Sequence, residues 1–203
     1  MKIETLRELW EGRAAAGAGA GPLYQRDYWA VIRDCRDRPS RVVDLVARRF
    51  PDFAPPKLVR FRRLDGDRDR PLEVGDEMDV DIRGAGRSGV RVVHRDAASL
   101  TLATLRGHPE TGRITFGAYR NARGDVLFHI RSRARSSSER TYLGYRVLGE
   151  AMQTNVWTDF INRIAATVGE GVAGHIHAER RRLRELPPDA DAIVAPTYIA
   201  RAD

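Results

Sequence analysis

The sequence predicts an α+β domain in which a curved antiparallel sheet of six to seven strands wraps a long C-terminal helix. Three observations predict it. From Lys57 to Arg135 apolar residues recur with a period of two, in short runs separated by turn-forming residues, as antiparallel strands require. Further on the period becomes helical: Met152, Val156, Phe160, Ile164 and Val168 follow at i, i+4 steps, with Trp157 and Ile161 on the flank. That stripe is wide enough to lie inside a curved sheet. The length, 203 residues, suits one sizeable core and is short for two.

Taken in order, residues 1–26 read as an N-terminal appendage. Thr5 and Glu8 have capping-box spacing for a short helix with Leu6, Leu9 and Trp10 on one face. Ala14 to Gly21 (AAAGAGAG) reads as a flexible joint. The main domain is expected over residues 27–169. It opens with a strand in DYWAVIRD (Asp27 to Asp34), then a helix capped by Asp37, begun by Pro39 and stopped by Pro51. Strands follow around Leu58 to Phe61, Met78 to Ile82, Val90 to Val93, Leu100 to Thr104, Ile114 to Ala118 and Phe128 to Ala134. Ser136 and Glu139 then have the spacing to cap the long helix. In residues 170–203, Gly169 to Gly174 breaks that helix, His175 to Glu185 reads as a second, basic helix, and Pro187 to Asp203 as a tail.

The bulk numbers exclude several classes. One cysteine, Cys35, allows no intramolecular disulfide, which favours a reducing compartment. No apolar run approaches bilayer length and no signal peptide is recognisable, so a cytoplasmic location is expected. The net charge of +7 raises a nucleic-acid partner, yet 28 acidic residues accompany 35 basic ones, so that partner is disfavoured. Neither HExxH nor CxxC is present, nor a P-loop or a GxSxG elbow, and neither metal nor cofactor is expected. Gly84, Gly86 and Gly89 make a GxGxxG string, but a strand rather than a helix should follow it, so the string reads as a hairpin.

Candidate chemistry centres on Gly107-His108-Pro109-Glu110-Thr111-Gly112. A histidine titrates near neutrality, and a glutamate two residues on could orient it for proton transfer. The plainer reading is a turn, with His108 and Glu110 satisfying loop amides. His175 and His177 would diverge on a helix and so make a poor metal pair. His94, in phase with Val90 and Val92, is expected on the core side. His129, on the charged face with Arg131 and Arg133, is expected in solvent. Asp79 and Asp81 share that face. Arg180, Arg181, Arg182 and Arg184 form a basic cluster, read as a solvated helix face or a contact for an anionic partner.

The order strand, helix, meander, long helix is similar to the helix-grip plan of the START and polyketide-cyclase (SRPBCC) superfamily. VGDEMDVDI (Val74 to Ile82), LATLRGHPETGRITF (Leu102 to Phe116) and EAMQTNVWTDFINRI (Glu150 to Ile164) resemble segments of domain-of-unknown-function family nineteen-ninety, over about Leu23 to Val168. The resemblance implies a cavity between sheet and C-terminal helix and brings no catalytic residues with it. In such a cavity Ile114, Phe116, Phe128, Ile130, Met152, Val156, Trp157 and Phe160 would contact a small, largely apolar ligand. The alternatives are a cavity enzyme working through His108 or Glu110, and a nucleic-acid or protein contact through the basic C-terminal helix.

Overall fold

The computed structural model describes residues 19–65, 67 and 70–184, and of 139–149 the backbone only. The elements run β1 (Ala20–Ile32), α1 (Pro39–Phe53), β2 (Val59–Arg63), β3 (Glu77–Ile82), β4 (Gly86–Arg95), β5 (Ser99–Thr104), β6 (Glu110–Arg120), β7 (Val126–Ser136), α2 (Glu139–Val168) and β8 (Val172–Leu183). All eight strands form one sheet in the order β2-β3-β4-β5-β6-β7-β1-β8. Each neighbouring pair is antiparallel. The meander from β2 to β7 follows chain order because short turns can join only antiparallel neighbours. The expected N-terminal helix around Leu6, Leu9 and Trp10, and the tail from Pro187, lie outside the described residues.

Four expectations need correction. The first strand begins at Ala20, not Asp27, because its pairing with β7 continues back through Tyr24↔Ala134. The register shifts between Ala20 and Tyr24, where Gly21 and Pro22 lie. α1 has Arg38 at its N-cap with no side-chain cap, so Asp37 does not cap it. Pro39 does start the helix, but Pro51 does not stop it: the helix kinks at Arg49 (φ −120°, ψ 26°) and runs on to Phe53.

The fourth correction is the largest. His175 to Leu183 belongs to a strand, β8, and not to a basic helix. After α2 the chain turns back along β1, with Glu170 N–H donating to Arg33 O at 2.9 Å and Arg33 N–H to Gly171 O at 2.8 Å. Gly169 permits this approach, since a Cβ there would lie 2.3 Å from Arg33 O. β1 then offers an open row of amides, and ladder hydrogen bonds override the helical propensity of an Ala-Glu-Arg sequence.

The core lies between α2, α1 and one face of the sheet. α2 buries Val156, Phe160, Ile161, Ile164 and Ala165 on it. α1 contributes Val42, Val43, Val46, Ala47, Phe50 and Phe53. Phe50 is the hub: its ring centroid is 5.1 Å from Phe61, 4.9 Å from Phe116 and 5.1 Å from Phe160. Edge-on contacts of this kind add to the area that the rings bury. Replacing Phe50 by Ala should therefore cost about 3–5 kcal/mol, read as a lowered urea midpoint with little change of slope. A loss below about 1 kcal/mol would mean that neighbouring rings collapse into the space.

Candidate functional site

The interior is filled at one end and hollow at the other. Between the middle of α2 and the sheet lies a pocket of about 790 Å³ of atom-free space, partly open to solvent, of which about 100 Å³ admits the centre of a water molecule. Its apolar wall comes from Leu58, Val59, Phe61, Val80, Ile82, Val90, Leu102 and Ile114, faced by Met152, Val156 and Trp157 of α2. Its polar groups are gathered where β6 begins: Thr104, His108, Glu110, Arg113, Ser132 and Gln153.

Of the residues expected to contact a ligand, Ile114, Met152, Val156 and Trp157 line this pocket. Phe116, Phe128, Ile130 and Phe160 do not. They are at most 1% exposed in the packed core, because α1 inserts Phe50 against that end of the sheet. His108 and Glu110 both reach the pocket.

Glu110 is buried, with both oxygens engaged. Gln153 Nε2 donates to Oε2 at 2.5 Å, and Arg26 Nη2 lies 3.4 Å from Oε1. A carboxylate in an apolar wall needs such donors to remain charged. Arg26 is itself 7% exposed, and its Nε and Nη1 have no hydrogen-bond partner. The His108 Nδ1 takes the Glu110 backbone N–H at 3.1 Å and lies 2.9 Å from the Glu110 carbonyl. Each tautomer can serve only one of the two. Burial pushes the His108 imidazole below its ordinary range, against the opposite pull of the Glu110 carboxylate and its backbone. The ring is therefore neutral at neutral pH.

Gly112 shapes the floor. Its φ is +155°, and a Cβ there would come within 2.1 Å of Arg133 O on β7. The last glycine of the GHPETG segment thus lets β6 run against β7 where the pocket begins. Arg26 and Gln153 were missed in the sequence. Arg26 fell in the supposed appendage, although it is in phase with Tyr28. Gln153 follows Met152 of the apolar stripe, and its polarity set it aside.

The opposite face of the sheet also departs from expectation. His129 is buried at 2% exposure, not solvent-exposed. Its Nε2 donates to Asp27 Oδ1 at 2.8 Å, Arg131 Nε donates to the same oxygen at 2.5 Å, and Gln25 Nε2 donates to Oδ2 at 2.7 Å. Burial would raise the Asp27 carboxyl, but these donors and the Arg131 charge outweigh it and bring it down to about 2. His129 is pushed below its ordinary range, chiefly by burial. His94 also falls on this face, paired with Thr101, because the register shifts between Val92 and His94; it meets Asp96 at 3.1 Å. Asp79 and its neighbours do behave as a solvated charged face, with Asp79 holding Arg62 at 2.5 Å and Arg87 at 2.8 Å.

On β8, His175 and His177 lie on one side of a strand, with ring centroids 4.2 Å apart, and His177 stacks on Trp29 at 4.8 Å. Among the described residues no group of three His, Cys, Asp or Glu side chains could share a metal ion. Gly84 and Gly86 sit at a β3–β4 hairpin that leads into a strand. No helix of the described residues is long and apolar enough to cross a membrane.

Residues 53–163, more than half of the 203, match the family model described as a domain of unknown function, DUF1990. The chain belongs to the DUF1990 family. No curated protein sequence matches this DUF1990 chain. Among solved structures it is similar to a major latex-like protein of Panax ginseng, at 14% identity and a TM-score of 0.50 over 73% of this chain and 99% of that one. It is also similar to a protein of Chromobacterium violaceum (15% identity, TM-score 0.49, 72% of this chain and 98% of that one). A third likeness is to a norcoclaurine synthase of Thalictrum flavum, solved with a transition-state analogue (12% identity, TM-score 0.46, 72% and 92%). The ginseng likeness extends to the fold alone: DUF1990 here is an α+β, helix-grip-like domain with eight strands and a strand after its long helix.

The Asp27 cluster carries a pH dependence of known sign. A carboxyl at about 2 in the folded chain, against 3.8 ordinarily, stabilises fully above pH 3.8 and less as pH falls through 2. We expect wild type to lose about 2 kcal/mol on this account over that acid window. Urea midpoints should fall less steeply with acid in Asp27→Asn than in wild type, since the other lowered carboxyls keep their share; an equal slope in the variant would place the titration elsewhere.

Proposed function

We propose that this protein binds a small, largely apolar molecule between the sheet and α2, with the polar end of the ligand toward His108, Glu110 and Gln153. The observation that carries this reading is the division of the pocket wall: apolar side chains on most sides and fixed polar groups in one place. Such a wall rewards burial of apolar area and orients the ligand by a few hydrogen bonds. The helix-grip-like fold supports it as an analogy.

The protein purified from its own cells should carry an added mass in native mass spectrometry that is lost on denaturation. The uncharged dye Nile red should bind the emptied protein one to one. Met152→Trp, which fills the pocket from a half-buried position on α2, should weaken dye binding at least about tenfold without lowering the melting temperature. Equal dye affinity in the two proteins would remove the pocket as the site.

A second reading is favoured by one observation: a neutral His108 in the pocket wall can accept a proton. If the bound molecule is turned over, His108→Ala should bind it and leave it unchanged. Conversion by the variant at the wild-type rate would exclude that role.

A further inference from the structure

Several of the described arginines have a carboxylate. Arg48 and Arg95 share Asp44, Arg63 and Arg70 share Asp65, Arg91 takes Glu77, and Arg163 takes Asp159. Even on the basic strand β8, Arg180 pairs with Glu150 of α2 and lies over the Tyr24 ring. Three arginines without a carboxylate among the described residues gather at one end of the sheet. Arg135 on β7, Arg182 on β8 and Arg184 just beyond it line one cleft, opposite Gly21, Pro22 and Leu23. No acidic side chain lines it among the described residues, and none of the three makes an ion pair with one.

The cleft exists because the β1–β7 ladder is interrupted between Ala20 and Tyr24, leaving the start of β1 out of register. It is wide, with about 550 Å³ open to the centres of water molecules. Arg135 Nε is nevertheless buried, and it has no hydrogen-bond partner. A buried cationic N–H without an acceptor is costly, and two further like charges beside it add repulsion. An anion with several oxygens in the cleft would offset the repulsion and sit within the field of all three charges. Guanidinium forks match phosphate oxygens in pairs, and arginine stays charged at any physiological pH.

We propose that this cleft binds a phosphate group, gripped by Arg135 and Arg182 with Arg184 adding charge at the rim. The site is separate from the apolar pocket and shares no lining residue with it. No aromatic ring lines the cleft among the described residues, so a stacked nucleobase is not part of the recognition.

The test uses the full chain with inorganic pyrophosphate, followed by calorimetry and by melting temperature. Arg135→Gln with Arg182→Gln removes two charges from the cleft. Arg36→Gln with Arg123→Gln removes two from exposed positions elsewhere and serves as the control. Pyrophosphate should bind wild type saturably and raise its melting temperature. The cleft variant should bind at least about tenfold more weakly, and the control within about twofold of wild type. Without pyrophosphate the cleft variant should melt no lower than wild type, because repulsion has been removed.

Vesicles of phosphatidylcholine with and without phosphatidic acid separate the two sources of phosphate. Sedimentation with phosphatidic acid that the cleft variant loses assigns a lipid headgroup. Pyrophosphate binding without vesicle binding assigns a soluble phosphoester. Absence of saturable pyrophosphate and vesicle binding by wild type, or equal loss in the two double variants, would overturn the site.

Discussion

The contact of one ring, Phe50, with Phe61, Phe116 and Phe160 decides where this protein is solid and where it is hollow. A sheet curved around a helix leaves space that side chains must fill, since interiors pack like organic crystals. α1 fills that space from one side only. Its kink at Arg49, with Pro51 following, lets Phe50 and Phe53 both turn inward, and both reach Phe160. Beyond the reach of these rings, the wall formed by Val80, Ile82, Val90, Ile114 and Val156 faces no comparable plug among the described residues. The pocket is thus the remainder of an asymmetric packing arrangement.

Much of the architecture was legible because two periods differ so sharply. The alternation of Met78, Val80 and Ile82, and the four-residue steps from Met152 to Val168, could each come from one kind of element. The same periodicity could not say which end of the interior α1 would occupy. Phe116 and Ile114 lie on the same face of β6, yet one is sealed in the core and the other lines the pocket. That difference depends on a residue far away in sequence, Phe50. The basic C-terminal segment was misread for a related reason. Local propensity favoured a helix, while the deciding factor was an unpaired edge on β1, which no local pattern reveals.

The charged face of the meander teaches a similar lesson about histidine. Alternation correctly puts His129 with Arg131 on one side of β7, but alternation does not tell whether that side meets water. Here it does not, and the protein meets the cost of burying Asp27, His129 and Arg131 by joining them through a single carboxylate oxygen. His94 shows how one extra residue in a strand redirects everything after it, moving from the expected core side to the face it shares with Thr101.

β8 pairs with β1 along one side and leaves its other side as the margin of the sheet. An open strand of that length is a template for a second copy of itself, the first step of fibre growth. Two such margins meeting antiparallel would bring Arg180, Arg181 and Arg182 of one chain near the histidines and arginines of another, with no acidic side chain but Glu179 between them. Repulsion along that seam makes the margin unwelcoming to its own kind. The arginines that make this segment look like a binding helix in the sequence also keep the finished sheet from lengthening chain by chain.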